Sequence, residues 1–179
     1  MQTFALSLVA SALCCPLFGT TLQQMTLDEL ARQSTQIVRG KAQLGSASAR
    51  GSMIYTHYRI QIAEQWKGNW ASQVDVAVPG GEVNGRRQSF AGAPVFADGQ
   101  EYIFFLWTSR TGLTQVIGLS QGMFQLQAGV SGTLMVTRTP SSQRVLDGNG
   151  KEIVDPAISL PLPDFKDKVS RILATKAGQ

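Results

Sequence analysis

Cysteine and histidine are nearly absent from this chain, whose 179 residues hold two of the first and one of the second. Both cysteines, Cys14 and Cys15, stand in the first apolar segment, so a chain that loses that segment keeps no thiol. That excludes a disulfide framework, a cysteine-ligated zinc and a cysteine nucleophile from the remainder. The single imidazole, His57, makes no standard zinc set alone. Charge is also sparse, at 16% of residues against the roughly 25% of ordinary soluble domains. The net excess of +4 is scattered, with Arg86-Arg87 the one adjacent basic pair. Such an excess reads as a solvated surface rather than the footprint of an anionic polymer.

Before Asp28 there is no charged residue at all. The apolar run from Phe4 to Gly19 is short for a membrane span of about 20 residues. It suits the core of a secretory signal, with a break at Pro16 and a small residue, Gly19, placed for cleavage. The expectation is a signal peptide over residues 1–19 and a mature single domain over residues 20–179. That domain belongs in the periplasm or outside the cell, with no stable membrane span once the signal is removed. No Lys or Arg precedes the run, so its positive charge comes from the α-amino group. Lipoprotein processing fits poorly, because Leu13 and Cys14, not a small Gly, Ala or Ser, precede the two cysteines.

Thr26-Leu27-Asp28-Glu29 reads as a capping box, and Leu27, Leu30 and Ala31 as the apolar stripe of a short helix ending about Ser34. A first strand is expected over residues 36–42, then a flexible Gly/Ser/Ala-rich loop over 44–52. Residues 55–66 alternate: Tyr58, Ile60, Ile62 and Trp66 face one way, and His57, Arg59, Gln61 and Glu64 mostly the other. Lys67-Gly68-Asn69-Trp70 turns this strand into a partner over residues 74–78. Residues 81–99 read as a long surface loop with a brief strand near Ser89-Phe90. The continuous apolar run over residues 102–107 needs cover on both faces, which makes it the central strand. Residues 114–119 and 123–127 look like a strand pair, and 133–137 like the last strand. Residues 140–163 are punctuated by Pro, Gly and Ser as a loop or tether. A closing helix over residues 163–175 puts Phe165, Val169, Ile172 and Leu173 on one face, with Arg171 and Lys176 at its end. About seven short strands with a helix at each end imply a mainly β domain, a small barrel or sandwich.

Chemistry is tested piece by piece. Gly118-Leu119-Ser120-Gln121-Gly122 matches the nucleophile elbow G-x-S-x-G, which needs strand, sharp turn, then helix. Met123-Phe124-Gln125-Leu126 alternates like a strand, so the match reads as a hairpin turn, and His57 precedes Ser120 instead of following it. Asp164 and Asp167 suit a helix start. Asp147-Gly148-Asn149-Gly150 suits a type I′ turn better than a calcium loop. Pro79-Gly80-Gly81 lacks the Gly-Lys-Ser/Thr of a phosphate cradle. No cofactor is expected. Trp66 and Trp70 near a turn, with Arg86 and Arg87 in the long loop, are the candidate partner-binding residues.

Certain blocks occur in a familiar order: Ile37-Val38-Arg39-Gly40-Lys41, then Tyr55-Thr56 leading to Glu64-Gln65-Trp66-Lys67-Gly68, then residues 74–78, then Gly99-Gln100-Glu101-Tyr102-Ile103-Phe104-Phe105-Leu106. Over roughly residues 36–127 this order resembles secreted bacterial proteins with a netrin-like, tissue-inhibitor-of-metalloproteinase-like domain. It also resembles uncharacterised exported bacterial proteins carrying the same blocks. The resemblance implies an OB-like five-stranded antiparallel barrel with flanking helices. Inhibitors of that family present an N-terminal cysteine to a protease metal and brace the barrel with disulfides, and a mature chain without cysteine has neither. No inhibitory residue carries over. The expected function is an exported, non-enzymatic binding or protein-interaction module for an unknown protein or extracellular ligand. The alternatives are a serine hydrolase using Ser120 with His57, and an OB-type nucleic-acid binder, which export and weak charge disfavour.

Overall fold

The computed structural model describes residues 21–129 and 132–175. The expected signal segment, Cys14, Cys15 and Lys176 lie outside them. The described chain is mainly β, with two helices and several antiparallel sheets. After β1 (Thr21–Gln23) comes α1 (Leu27–Gln33). Its capping box is as expected: Thr26 Oγ1 accepts from the Glu29 backbone N–H, and the Glu29 carboxylate accepts from the Thr26 N–H. At the other end, the Lys67 ammonium donates to the carbonyls of Ala31 and Arg32, which satisfies orphan acceptors where the helix dipole favours a cation.

A long hairpin follows, β2 (Gln36–Arg50) with β3 (Met53–Lys67). Here the expected loop over residues 44–52 is corrected: residues 44–50 stay in β2 and pair down to the tip, Arg50 opposite Met53. Gly45, Ser46, Ala47 and Ser48 have poor strand propensity, but pairing with residues of β3 overrides it. The Gly and Ser serve a register shift between Leu44 and Ala47, where β2 carries one extra residue. Two further shifts give β3 an extra residue near Ala63 and another at Trp66. They overturn the single apolar face expected of β3. Tyr58, Ile60 and Ile62 pack in one core, whereas Trp66 packs in another. One inserted residue exchanges the faces of everything beyond it.

The next strand, β4 (Gln73–Pro79), pairs antiparallel with β3, as expected. The stretch expected as loop holds a small hairpin, β5 (Gly81–Val83) and β6 (Arg86–Gln88). Its turn is Asn84-Gly85, with φ of 50° and 75°, the pair of positive values that a type I′ turn requires. The brief strand expected near Ser89-Phe90 is β6, which ends one residue earlier at Gln88; residues 89–100 carry Phe96 into the first core. β7 (Glu101–Thr108) is the central strand, with β2 along one edge and both β8 (Thr114–Val116) and β9 (Met123–Ala128) along the other. β8 and β9 thus share an edge of β7 rather than pairing with each other. A 3₁₀ turn, Leu119–Gly122, steps between them, where a hairpin turn was expected.

β10 (Leu134–Arg138) is not the last strand. β11 (Arg144–Leu146), β12 (Glu152–Ile153) and β13 (Ile158–Pro161) occupy the expected tether. β11 pairs in parallel with β1 and antiparallel with β12, and β13 extends the main sheet beside β10. In the β11–β12 turn, Asp147 Oδ1 accepts from the N–H groups of Asn149 and Lys151. Only Gly150 has positive φ there, at 80°, so the turn is not the expected type I′. Helix α2 (Leu162–Thr175) closes the chain with Phe165 and Val169 buried, as its spacing implied.

Two cores lie on opposite faces of β7. Tyr102, Phe104 and Leu106 meet Val38, Ala42, Tyr58, Ile60, Val76, Val78, Val116 and Phe96 in the first. Phe96 plugs it, with ring centroids 4.6 Å from Tyr58 and 5.2 Å from Phe104. The hydrogen-bonded path β13-β10-β9-β7-β2-β3-β4 does not return on itself. β4 and β8 nevertheless lie alongside each other without a ladder, so β8, β7, β2, β3 and β4 surround this core. On the other face, Ile103 and Phe105 pack with Phe124, Phe165, Leu30 and Ile37 beneath both helices. The Phe124–Phe165 centroids are 4.8 Å apart.

Candidate functional site

Among the described residues, Arg39, Glu64, Glu101 and Lys166 join β2, β3, β7 and α2 through ion pairs, and two further places assemble polar groups from several elements. The first is a cleft of about 350 Å³ between the 92–95 loop and the segment that follows β10. Ser120, Gln125, Thr137, Ser141 and Gln143 are among the hydroxyl and amide residues that line it, and Tyr102 and Arg138 border it. Among its lining residues there is no carboxylate, imidazole or thiol.

Arg138 is 8% exposed and Asp155 5%. The Arg138 Nη2 donates to Asp155 Oδ1 at 2.9 Å, and Nη1 donates to the Gln121 carbonyl at 3.1 Å. Asp155 Oδ2 accepts from the Ser141 N–H at 2.8 Å, which ties the cleft rim to the ion pair. Beneath, the guanidinium carbon stands 5.7 Å from the Phe124 ring centroid. Arg138 Nε is buried with no acceptor. Burial pulls the guanidinium below its ordinary range, and the charge of Asp155 opposes that pull.

The second place is the outward face of the β2–β3–β4 sheet. Ser48 Oγ lies 2.9 Å from His57 Nε2, and His57 Nδ1 lies 2.7 Å from Asp75 Oδ1. The three residues come from three adjacent strands and meet diagonally across the registers Ser48–Tyr55 and Arg59–Asp75. Both ring nitrogens of His57 are engaged here, so neither serves Ser120, which lies in the cleft wall. Nor does Ser120 stand at a nucleophile elbow: β9 follows its turn, where that geometry needs a helix.

The four candidate partner-binding residues do not gather into one surface. Trp66 lies against Phe165 at 6.3 Å between centroids, covering the second core. Trp70, in the β3–β4 turn, is 74% exposed. That turn is stitched by Gln65, whose amide donates to the carbonyls of Lys67 and Asn69 and accepts from the Ala71 N–H. Arg86 and Arg87 sit exposed on β6 at the other end of β3, where Gln88 bonds Ser52 and Ile54. Roughly twelve residues of β3, about 40 Å of strand contour, separate Ile54 from Trp66.

Sequence reasoning missed Arg138, Asp155, Ser48 and Asp75. Asp155 lies in the stretch read as a tether, and Ser48 in the one read as a loop. An available signal was the turn at Arg50-Gly51-Ser52-Met53. Folding the chain back there sets Ser48 across from Tyr55, within diagonal reach of His57. Comparison with protein-family models, with curated proteins and with solved structures found no match.

Proposed function

We propose that this chain is an exported OB-like domain whose work at the Arg138 cleft is to bind a small polar ligand. The observation that carries the reading is a buried Arg138–Asp155 pair under a cleft lined by hydroxyls and amides. A concave site with a few convergent polar groups and a perturbed ionisable residue is the ordinary form of a ligand pocket. Hydroxyl and amide walls can both donate and accept, which suits a polyhydroxylated or carboxylate-bearing molecule. No general base lines the cleft, so binding rather than turnover is the chemistry it supports.

The OB-like, netrin-like assignment is supported by the order of sequence blocks. It is supported too by the five strands around the first core, with β4 beside β8 as a partly open barrel would have them. Export is supported by the uncharged apolar start and the thiol-free remainder. N-terminal sequencing of the secreted product should begin near Thr20; a retained Met1 would refute export.

Binding is tested by thermal shift and NMR titration against a panel of monosaccharides, short oligosaccharides and small carboxylates. A saturable shift is expected that perturbs Thr137 and Ser141 and is lost in Thr137→Val. No response across the panel, or one that maps away from these residues, would overturn the cleft as the binding site.

A further inference from the structure

We infer that Ser48, His57 and Asp75 form a nucleophilic serine site for acyl transfer, separate from the Arg138 cleft. The atoms match the roles that chemistry requires. An ionised carboxylate only accepts, so the 2.7 Å contact obliges His57 Nδ1 to carry the hydrogen given to Asp75. In the neutral ring Nε2 is then the acceptor, and the 2.9 Å contact makes the Ser48 hydroxyl its donor. Nucleophile, base and orienting carboxylate thus stand in line within hydrogen-bond reach. The same face also carries positive charge. Arg50 is two residues beyond Ser48 on the same side of β2, and Arg59 two residues beyond His57 on β3. Arg50 Nη2 donates to the Thr111 carbonyl at 3.5 Å, and Arg59 is exposed.

The reaction is ester cleavage by way of an acyl-serine. Ser48 Oγ bonds the ester carbonyl carbon while its proton passes to His57 Nε2, and Asp75 steadies the resulting imidazolium. As the tetrahedral adduct collapses, the bond from carbon to the leaving alkoxide oxygen breaks, and that oxygen takes the proton from Nε2. Water then attacks the acyl carbon and gives its proton to Nε2. The bond from carbon to Ser48 Oγ breaks, and Oγ recovers the proton. Ester and water are consumed, and acid and alcohol are released. Ser48 and Asp75 are exposed and His57 half-buried on an open sheet face, so the substrate class is an acyl ester borne on an extended molecule that lies along the sheet.

The probes are p-nitrophenyl acetate and a fluorophosphonate, each applied to the folded mature chain and read by peptide mass spectrometry. Acetyl and phosphonyl adducts are expected on the peptide holding Ser48. Ser48→Ala should remove them, and His57→Gln should slow acylation by roughly 100-fold, the usual worth of a general base. Asp75 is a positioning residue. Asp75→Asn should lower the acylation rate without changing probe affinity, and Asp75→Glu should restore part of it. Absence of an adduct on Ser48 would overturn the inference, as would its formation at an equal rate in His57→Gln. Ser48→Ala should leave the cleft's ligand response intact, so failure of one site is distinguishable from failure of the other.

Discussion

Replacing Asp155 with Ala removes the counter-charge of a guanidinium that has almost no access to water. The two side chains are 7% and 2% exposed, so solvent cannot take over the lost contact. Removing one partner of a buried pair costs about 3–5 kcal/mol, because the remaining charge stays desolvated. The Ser141 N–H loses its acceptor in the same change. For a domain of this size, roughly 2–4 °C of melting temperature accompanies each kcal/mol, so Asp155→Ala should melt about 6–20 °C lower. Asp155→Asn keeps an acceptor for Ser141 and should lose less. Urea denaturation followed by tryptophan fluorescence gives the free energies, and the single variants Arg138→Met and Asp155→Leu with the double variant Arg138→Met/Asp155→Leu make a thermodynamic cycle. With both charges gone and the volume roughly kept, that variant should recover most of the loss. A cost below about 1 kcal/mol for Asp155→Ala, the range of a surface pair, would refute the claim that this pair is isolated from water. A double variant as unstable as the single one would show that the loss is steric rather than electrostatic.

Acid should loosen the packing of α2 through Glu64. Burial alone would raise this carboxyl, but the Lys166 ammonium bonded to it and the charge of Arg39 hold it below its ordinary 4.5. A depressed carboxylate contributes stability above its unfolded value and loses it as pH falls through the folded one. Wild-type stability should therefore drop from pH 4.5 downward, and Glu64→Gln should flatten that part of a pH series of urea melts. Phe165→Ala, at the meeting of Trp66, Phe105 and Phe124, should cost about 3–5 kcal/mol in the same assay. Two glycines should separate sharply. A Cβ at Gly40 would stand 2.4 Å from the Gln61 carbonyl oxygen, so Gly40→Ala must push β2 from β3. A Cβ at Gly85 meets nothing within 4 Å, and Gly85→Ala should cost only about 1–2 kcal/mol of left-handed strain.

Local signals were legible wherever the chain obeyed a single period. The capping box at Thr26 and Glu29, the doubly covered run of β7 and the apolar stripe of α2 each express short-range geometry. Insertions into that geometry were not legible. Trp66 shares the parity of Ile60 and Ile62, yet the extra residue near Ala63 turns it toward Phe165. Asn84-Gly85 was a readable hairpin signal, overlooked because neighbouring glycines made the whole stretch resemble loop. The strands after β10 are short and borrow their pairing from β1 and β10, so propensity within them says little. Arg138 and Asp155 looked like surface charges because nothing local announces a partner 17 residues away.

The bulge in β2 shows how such an insertion bears on chemistry. Up to Leu44 the even-numbered residues of β2 stand on the side of the first core: Val38 and Ala42 are buried there, with Ala42 paired to Ile60. Beyond the extra residue the parity is exchanged. Ala47 now pairs with Thr56 beneath the β5 strand, where a Cβ at Gly81 would touch both side chains. Ser48 accordingly turns outward beside His57. Were these same residues paired without the bulge, Ser46 would stand opposite Thr56, Ala47 would lie outward opposite Tyr55, and Ser48 would face inward. Deleting Ser46 removes the surplus residue but leaves Ala47 opposite Thr56 and Ser48 opposite Tyr55, so the Ser48–His57–Asp75 line should survive that deletion, as adducts on Ser48 would show. Point substitution at Ser48 is therefore the test of chemistry, and the deletion the test of register.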